Sequence, residues 1–173
     1  MKPTAPSFAR CIPVLSCLLL GACATGPKPP VPLAAVSMDA VNASSIRGQI
    51  SFSEPETMKG VLRVMVDVTG LTQREQGLHV MEADNCRAAT APGARHFNPD
   101  DKPHGQHAGD LPNVQGDIYG TMRGPLISRV LTVSGKYNVV GHAIVITERP
   151  DDFTTQPDGR SGPVVACGVI MPL

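Results

Sequence analysis

Four side chains that could ligate a metal ion lie close together in one polar segment of the chain. His96, His104, His107 and Asp110 fall within fifteen residues, separated by seven, two and two residues. Zinc favours four ligands in a tetrahedron, and imidazole nitrogens and carboxylate oxygens are among its usual donors. Four protein donors complete that shell without a position for water, which is typical of a structural zinc site. The spacing therefore predicts a structural zinc ion in this segment.

The segment that carries these donors is predicted to be a long loop in an all-β domain. Residues 83–113 show no apolar periodicity and are rich in Asp, Asn, Gly and Pro, and residues 149–163 form a second polar loop. Elsewhere apolar residues alternate with polar ones, as in strands with one buried face. The predicted strands fall within residues 45–54, 60–71, 78–82, 129–133, 138–148 and 164–172. This pattern favours an antiparallel β-sandwich or barrel with two long loops.

The composition sets limits on size and partners. The chain has 173 residues, 15 basic and 15 acidic side chains, no tryptophan and 3% aromatic residues. This length is enough for one domain with an ordinary core. Nucleic-acid surfaces need clustered positive charge and aromatic side chains for stacking, so this composition argues against one.

The N-terminal segment has the features of an export signal. Lys2 and Arg10 precede an apolar run that ends in Leu-Gly-Ala-Cys at Cys23, which resembles a bacterial lipobox. We expect residues 1–22 to be a lipoprotein signal peptide, Cys23 to carry lipid, residues 23–40 to be a Pro-rich tether, and residues 41–173 to be the domain. Ala24 favours the outer membrane, facing the periplasm of a bacterial cell envelope. The alternative is an ordinary cleaved secretory signal with an accidental cysteine.

Two of the five cysteines belong to the domain. Cys11 and Cys17 would leave with the signal and Cys23 would be lipidated, which leaves Cys86 and Cys167. An even pair in an oxidising compartment favours a disulfide, with two buried free thiols as the alternative.

Several motifs together resemble the copper/zinc superoxide dismutase family. They occur in order from about residue 45 to the end of the chain: GLHVME, Cys86, HFNPDDKPHGQHAGDLPN, ERPDD and GRSGPVVACGVI. The resemblance implies a Greek-key β-barrel of about eight strands, with metals between the barrel wall and two loops. It also implies a Cys86–Cys167 disulfide.

The resemblance assigns roles to the residues of the zinc half of the site. His96 matches the histidine that bridges copper and zinc, and His104, His107 and Asp110 match the other zinc ligands. Asp151 matches an aspartate that accepts hydrogen bonds from one zinc histidine and one copper histidine. Such a partner fixes the tautomer and orientation of the imidazole ring.

The copper half of the family pattern is incomplete. Of its four histidines, only His79 and His96 are present, while Met81 and Thr147 stand at the other two positions. Met81 lies two residues after His79 and should share its strand face. His79, Met81 and His96 therefore define a residual copper site. His142 lies five residues before Thr147, so strand alternation predicts that it faces the other side.

A third departure concerns the arginine that attracts superoxide in this family. Val164 stands at its position, and Arg160 is a nearby charge that could replace it in part. Cu(II) prefers tetragonal nitrogen and oxygen ligands, whereas a thioether favours Cu(I). We therefore expect a zinc-binding envelope lipoprotein with little or no dismutase activity.

Two other functions remain open at this stage. One is a divergent dismutase that converts two superoxide ions to O2 and H2O2 despite the altered ligands. The other is a protein that holds or passes Cu(I) at a site formed by His79, Met81 and His96. The sequence does not identify a protein partner, nor does it distinguish a monomer from a dimer.

Overall fold

The chain forms a β-barrel with long loops on one side. The structure is a computed structural model, and it describes residues 30–173. The strands are β1 (Ala34–Ala40), β2 (Arg47–Ser53), β3 (Leu62–Thr69), β4 (Glu75–Val80), β5 (Asp110–Gln115), β6 (Met122–Ser128), β7 (Ala143–Thr147), β8 (Val164–Val169) and the two-residue β9 (Met171–Pro172). Helical structure is limited to α1 (Cys86–Ala89) and a 3-10 turn (Gly135–Tyr137). Within residues 30–173, no helix is long and apolar enough to cross a lipid bilayer.

Eight strands follow each other around the barrel in a Greek-key order. The hydrogen-bonded sequence is β5-β4-β7-β8-β1-β2-β3-β6, every pair is antiparallel, and β9 pairs with β1. The connections from β3 to β4 and from β6 to β7 cross between the two halves of the barrel. Strands β5 and β6 lie beside each other and nearly close it. The all-β prediction with about eight antiparallel strands is confirmed.

Strand alternation builds the core. In β3, Leu62, Val64, Val66 and Val68 point inward and are buried, and the residues between them are partly exposed on the outer face. Burial of each such side chain stabilises the fold by about 1.5–3 kcal/mol. The interior is therefore filled by aliphatic side chains from both halves of the barrel.

The domain starts earlier than predicted. The tether was expected to extend to residue 40, but Ala34–Ala40 form β1, which pairs with β2, β8 and β9. Ala34, Val36 and Met38 point into the core, so this segment alternates like the other strands. Because this segment has several small residues and follows a proline-rich stretch, its alternation of buried and exposed residues was not recognised in the sequence. The signal peptide and Cys23 lie outside the described residues.

The strand order also corrects two local predictions. Residues 129–133 were expected to form a strand, but they contain only an isolated bridge at Thr132. The strand lies earlier, as β6, where Gly124 and Pro125 weaken the sequence signal. Proline is accepted in edge strands, and β6 is the last strand in the hydrogen-bonded order. The first loop was expected to reach residue 113, but β5 begins at Asp110.

A disulfide joins the long loop to the barrel wall. Cys86 at the start of α1 is bonded to Cys167 on β8, with Cα atoms 5.8 Å apart. Cys167 is buried beside Met81, Ala143 and Val145 on the outer face of the barrel. The disulfide prediction is confirmed, and the bond fixes one end of the loop that carries the candidate metal ligands.

Removing this disulfide should destabilise the domain by about 4–5 kcal/mol, because the bond closes a loop of 81 residues in the unfolded chain. The test is urea unfolding of a Cys86→Ala/Cys167→Ala double variant against the parent chain. Alanine leaves no buried free thiol or hydroxyl. A loss below about 1 kcal/mol would contradict the chain-entropy account of this bond.

Candidate metal centre

The candidate metal site lies on the outer face of the barrel wall, under the two long loops. His79 is on β4 between Leu78 and Val80, which point into the core, so its ring points outward. The loops that follow β4 and β7 cover this face. His79, His104 and Asp151 are buried as a result, although they lie outside the aliphatic core.

Three imidazole nitrogens surround one carboxylate oxygen. The Nδ1 atoms of His96, His104 and His107 lie 2.8, 3.4 and 3.2 Å from Asp110 Oδ1. Neighbouring donors in a tetrahedral zinc site are about 3.3 Å apart, because each bond is about 2.0–2.1 Å long. The four atoms therefore have the spacing of a closed four-ligand shell. These are the four donors that the sequence singled out.

Asp110 is fixed in its ionised form. Partial burial raises its pKa, but the hydrogen bond with His96 and the charges of His107, His96 and His104 outweigh burial and lower the pKa to about 2. The second oxygen, Oδ2, accepts hydrogen bonds from the backbone N–H groups of Gly105 (2.8 Å) and His107 (3.0 Å). The loop thus orients one carboxylate oxygen toward the three imidazoles.

Asp151 orients one of these imidazoles. His104 Nε2 lies 2.8 Å from Asp151 Oδ1, while His104 Nδ1 is buried and has no hydrogen-bond partner among the protein groups. If Nε2 donates its proton to Asp151, Nδ1 carries the free lone pair that a metal requires. An orphaned buried nitrogen facing a carboxylate is costly unless a cation completes the site. The residues therefore fit a zinc ion.

The second loop is hydrogen-bonded to β5 and to the first loop beside this site. Asn113 and Asp151 exchange two hydrogen bonds, from Asp151 N–H to Asn113 Oδ1 (2.9 Å) and from Asn113 Nδ2 to the Asp151 carbonyl (3.0 Å). Gln156 binds the backbone of His104 on both sides, accepting from its N–H and donating to its carbonyl. Sequence reasoning did not assign roles to Asn113 or Gln156, because these contacts join segments about 40 to 50 residues apart.

Gly159 gives the loops room to approach. A Cβ atom there would lie 1.7 Å from Asp151 Oδ1 and 2.6 Å from His104 Nε2. Its φ angle of +64° is also one that glycine adopts at little cost. The glycine-rich GRSGP motif was the available signal for such a close approach.

His79 is fully buried, and its ring nitrogens have no hydrogen-bond partners among the described residues. It is 0% exposed, and neither ring nitrogen makes a hydrogen bond with a protein group. Burial and then the neighbouring His96 hold the pKa of His79 well below its usual range, so the ring is neutral. The expected hydrogen bond to Asp151 is not formed, since His79 Nδ1 lies 3.8 Å from Asp151 Oδ2. The prediction that Asp151 bonds both a zinc and a copper histidine was therefore wrong for the copper side.

The rings of His79 and His96 are not arranged to chelate one ion. Their centroids are 3.9 Å apart with an interplanar angle of 17°, so the rings are stacked. Imidazole binds a metal through a lone pair in the ring plane, and the lone pairs of stacked rings do not converge on a point between them. The stacking also leaves no space for an ion between the two faces. These two residues therefore do not fit a copper centre in this structure.

Met81 and Thr147 are engaged elsewhere. Met81 follows β4 on the face of His79, but it is 3% exposed and packs with Ala143, Val145 and Cys167. Thr147 is buried, and its hydroxyl donates to the Arg149 carbonyl at 3.1 Å. Met81, the third member of the residual copper site, is thus packed among apolar side chains and the disulfide.

The space above His79 is filled by small groups. A Cβ atom on Gly77 would lie 2.8 Å from His79 Nε2, 2.4 Å from Thr147 Oγ1 and 3.4 Å from Ser161 Cβ. Gly77, Thr147 and Ser161 therefore lie beside the Nε2 edge of His79, which is fully buried. The sequence identified Thr147 as a lost ligand, but only the fold shows that it helps to cover the histidine.

The remaining residues of the copper half do not restore it. His142 Nδ1 donates to the Met81 carbonyl at 2.8 Å, and its ring packs against Phe97. Val164 is half-buried against the cluster that contains Met81. Arg160 is exposed, and its carbonyl accepts a hydrogen bond from Arg149 Nε.

Comparison with known proteins agrees with this architecture. Residues 46–170 match the family model for copper/zinc superoxide dismutase (SODC). Superoxide dismutase [Cu-Zn] 2 of Aquifex aeolicus is 37% identical over 128 residues, which is 66% of this chain and 74% of the relative. Superoxide dismutase [Cu-Zn] of Yarrowia lipolytica is 36% identical over 141 residues, which is 73% of this chain and 90% of the relative.

A solved structure also shares the fold. The crystal structure of the clock protein EA4 matches with a TM-score of 0.70 and 33% identity, covering 82% of this chain and 96% of that chain. The disulfide and the cluster of three histidines and an aspartate lie within residues 46–170, which match the family model. The chain belongs to the copper/zinc superoxide dismutase family.

Proposed function

We propose that this protein is a zinc-stabilised lipoprotein of the bacterial cell envelope with little or no dismutase activity. The observation that carries the proposal is the contrast between the two halves of the site. Three imidazole nitrogens converge on Asp110 Oδ1 to make a set of four donors, whereas His79 is fully buried and stacked on His96.

In this proposal zinc is held by His96, His104 and His107 through Nδ1 and by Asp110 through Oδ1. Zinc has no redox chemistry, so when bound it supplies structural order rather than electron transfer. Asp110 and the backbone around Gly105 fix the loop geometry, and Asp151 holds the His104 ring in the tautomer that ligates. The ion offsets the burial of carboxylates and imidazoles beneath the loops.

The copper half lacks three things that dismutation needs. Two of the four family histidines are Met81 and Thr147, and the guiding arginine is Val164. A redox metal at His79 would also need an open path for the anion, but His79 is fully buried, with Gly77, Thr147 and Ser161 beside it. The relatives are named superoxide dismutases, so this chain would be a divergent member that keeps the scaffold and the zinc half.

The envelope location rests on the sequence around Cys23. We propose that Cys23 carries lipid and anchors the domain to the outer membrane on its periplasmic side. The disulfide supports an oxidising compartment, because such bonds form and persist there.

The experiment that tests the function is metal analysis of the purified protein. The chain is equilibrated with zinc and copper, dialysed, and analysed by metal mass spectrometry and a dismutase assay on the same sample. We expect one zinc, no tightly held copper, and a dismutation rate no higher than that of buffer. Bound copper with a rate above buffer would establish a divergent dismutase instead.

The same sample tests the Cu(I)-holding alternative. Bound Cu(I) without dismutation, lost in a Met81→Leu variant, would indicate a Cu(I) carrier. Leucine is a suitable comparison because it keeps the packing volume of methionine and removes only the thioether.

Asp151→Asn should lower zinc affinity by about 10- to 100-fold, because the orienting hydrogen-bond acceptor of His104 loses its charge. The matched control is Asp152→Asn at the neighbouring position. Asp152 is exposed, and its carboxylate accepts hydrogen bonds from Thr154 and Thr155 rather than from a candidate ligand. Competition with a chromogenic zinc chelator measures both variants. Equal affinities for the two variants would show that Asp151 does not orient His104.

Gly159→Ala should weaken zinc binding by about tenfold or more, because the added methyl group would displace Asp151 and His104. Gly135→Ala is the control for backbone strain. Gly135 also has a positive φ, +75°, but a Cβ atom there would meet no atom within 4 Å. Zinc titration of both variants separates the two effects. If Gly135→Ala reduced affinity as much, the close approach at Gly159 would not be the cause.

A further inference from the structure

Exposed apolar side chains are concentrated at one end of the barrel. Within residues 30–173, ten large apolar side chains are exposed. Three of them, Ile118, Tyr119 and Phe153, lie elsewhere. The other seven lie at the end where β1 begins and where β2 joins β3: Val31, Leu33, Met58, Ile127, Val130, Met171 and Leu173.

Strand pairing places the centre of this patch on the outer face of β1 and β9. Ala35 is paired with Met171, and the Leu173 N–H donates to the Leu33 carbonyl. Paired residues in antiparallel strands share a face. Ala34 points into the core, so its neighbours Leu33 and Ala35 point outward, together with Met171 and Leu173.

The same face continues across the sheet. The register joins Ser53 to Arg63 and Arg63 to Ile127, and the next row joins Ser51, Met65 and Pro125. Farther along the strands the face becomes polar, with Asp67 and Arg123 forming an ion pair. The exposed apolar side chains of this face are interrupted by Ser51, Ser53 and Arg63 and end before the ion pair, and we call this apolar-rich area the β1–β9 patch. Patches of this kind on soluble domains mark interaction sites.

Charge does not dominate this end of the barrel. The charged side chains in and beside the patch are Lys59, Arg63, Arg129, Glu54 and Glu56, three basic and two acidic. Their near balance does not select a strongly acidic or basic partner. An apolar partner fits the patch, and Arg63 can extend its guanidinium past the apolar rim to polar headgroups.

The chain reaches this end from the proposed lipid anchor. The described chain begins at Pro30, directly before Val31, and Cys23 lies seven residues earlier in the sequence. Seven residues span at most about 25 Å when fully extended. The anchor therefore keeps the β1–β9 patch within about one barrel length of the lipid, at a high effective concentration.

We propose that the β1–β9 patch docks on the lipid bilayer that holds the anchor. The domain would then lie with its β1–β9 end in the headgroup region and with the β5–β6 connection facing away. This inference rests on the lipidation of Cys23 in the proposed function. It adds an orientation and a second, non-covalent contact with the membrane.

The absence of tryptophan from the chain allows a direct test. Single Leu173→Trp and Ile118→Trp variants of the full chain are produced with their own signal and purified. Each is reconstituted into phosphatidylcholine vesicles with or without brominated acyl chains. Both positions are highly exposed, 77% and 91%, so neither change should disturb folding. Ile118 is the control because it lies at the end of the barrel opposite the patch. It comes shortly before Met122, which pairs with Val68 at that end of β3.

We expect the protein to float with the vesicles. Brominated acyl chains should quench the fluorescence of the Leu173→Trp variant several-fold more than that of the Ile118→Trp variant. Only the emission of the Leu173→Trp variant should shift to the blue.

Flotation with equal quenching of the two variants would overturn docking while leaving the anchor in place. Failure to float would overturn both the anchor and the docking that depends on it. A blue shift without quenching, together with a dimer mass by light scattering, would assign the patch to a second copy of the chain and overturn the bilayer assignment.

Discussion

The loops of this protein depend on the burial of ionisable groups outside the aliphatic core. Asp110 and Asp151 lie beside His79, His96 and His104 where water is largely excluded, and several of their polar atoms have no protein partner. Burying such groups is costly unless their charges and lone pairs are matched. A divalent cation held by the four converging donors would match them, and it would favour the arrangement in which the two loops lie against the barrel wall.

The barrel and the loops contribute differently to the site. The wall supplies only His79 from β4, while the loop after β4 and the start of β5 supply the four converging donors. Asp151 belongs to the second loop. It forms a hydrogen bond with His104 and is not one of the four converging donors. This division explains how one half of a bimetallic scaffold can change while the other remains. Substitutions at positions 81 and 147 alter packing on the wall, but they leave the contacts between Asp110 and its three imidazoles in place.

The sequence predicted what is local and what its motifs carry. The donors at positions 96, 104, 107 and 110 were found because they lie in one segment, and the Cys86–Cys167 bond followed from the family pattern. The first strand was missed, because Ala34–Ala40 combines small residues with a proline-rich approach. β6 was missed because Gly124 and Pro125 have low strand propensity, yet pairing with β3 overrides that preference. The stacking of His79 on His96 and the burial of His79 beside Gly77, Thr147 and Ser161 depend on tertiary contacts that spacing does not encode.

The position of the donors along the chain has a consequence for the order of assembly. All four precede residue 111, whereas β7 and β8, which complete the half of the sheet beneath them, follow residue 142. A chain made from its N-terminus therefore presents a complete donor set before those strands exist. Bringing these donors together closes short loops, which costs less chain entropy than pairing β8 with β1. Asp151, which orients His104, follows β7 in the chain, so the four donors are made first and the group that orients one of them is added only with the second loop.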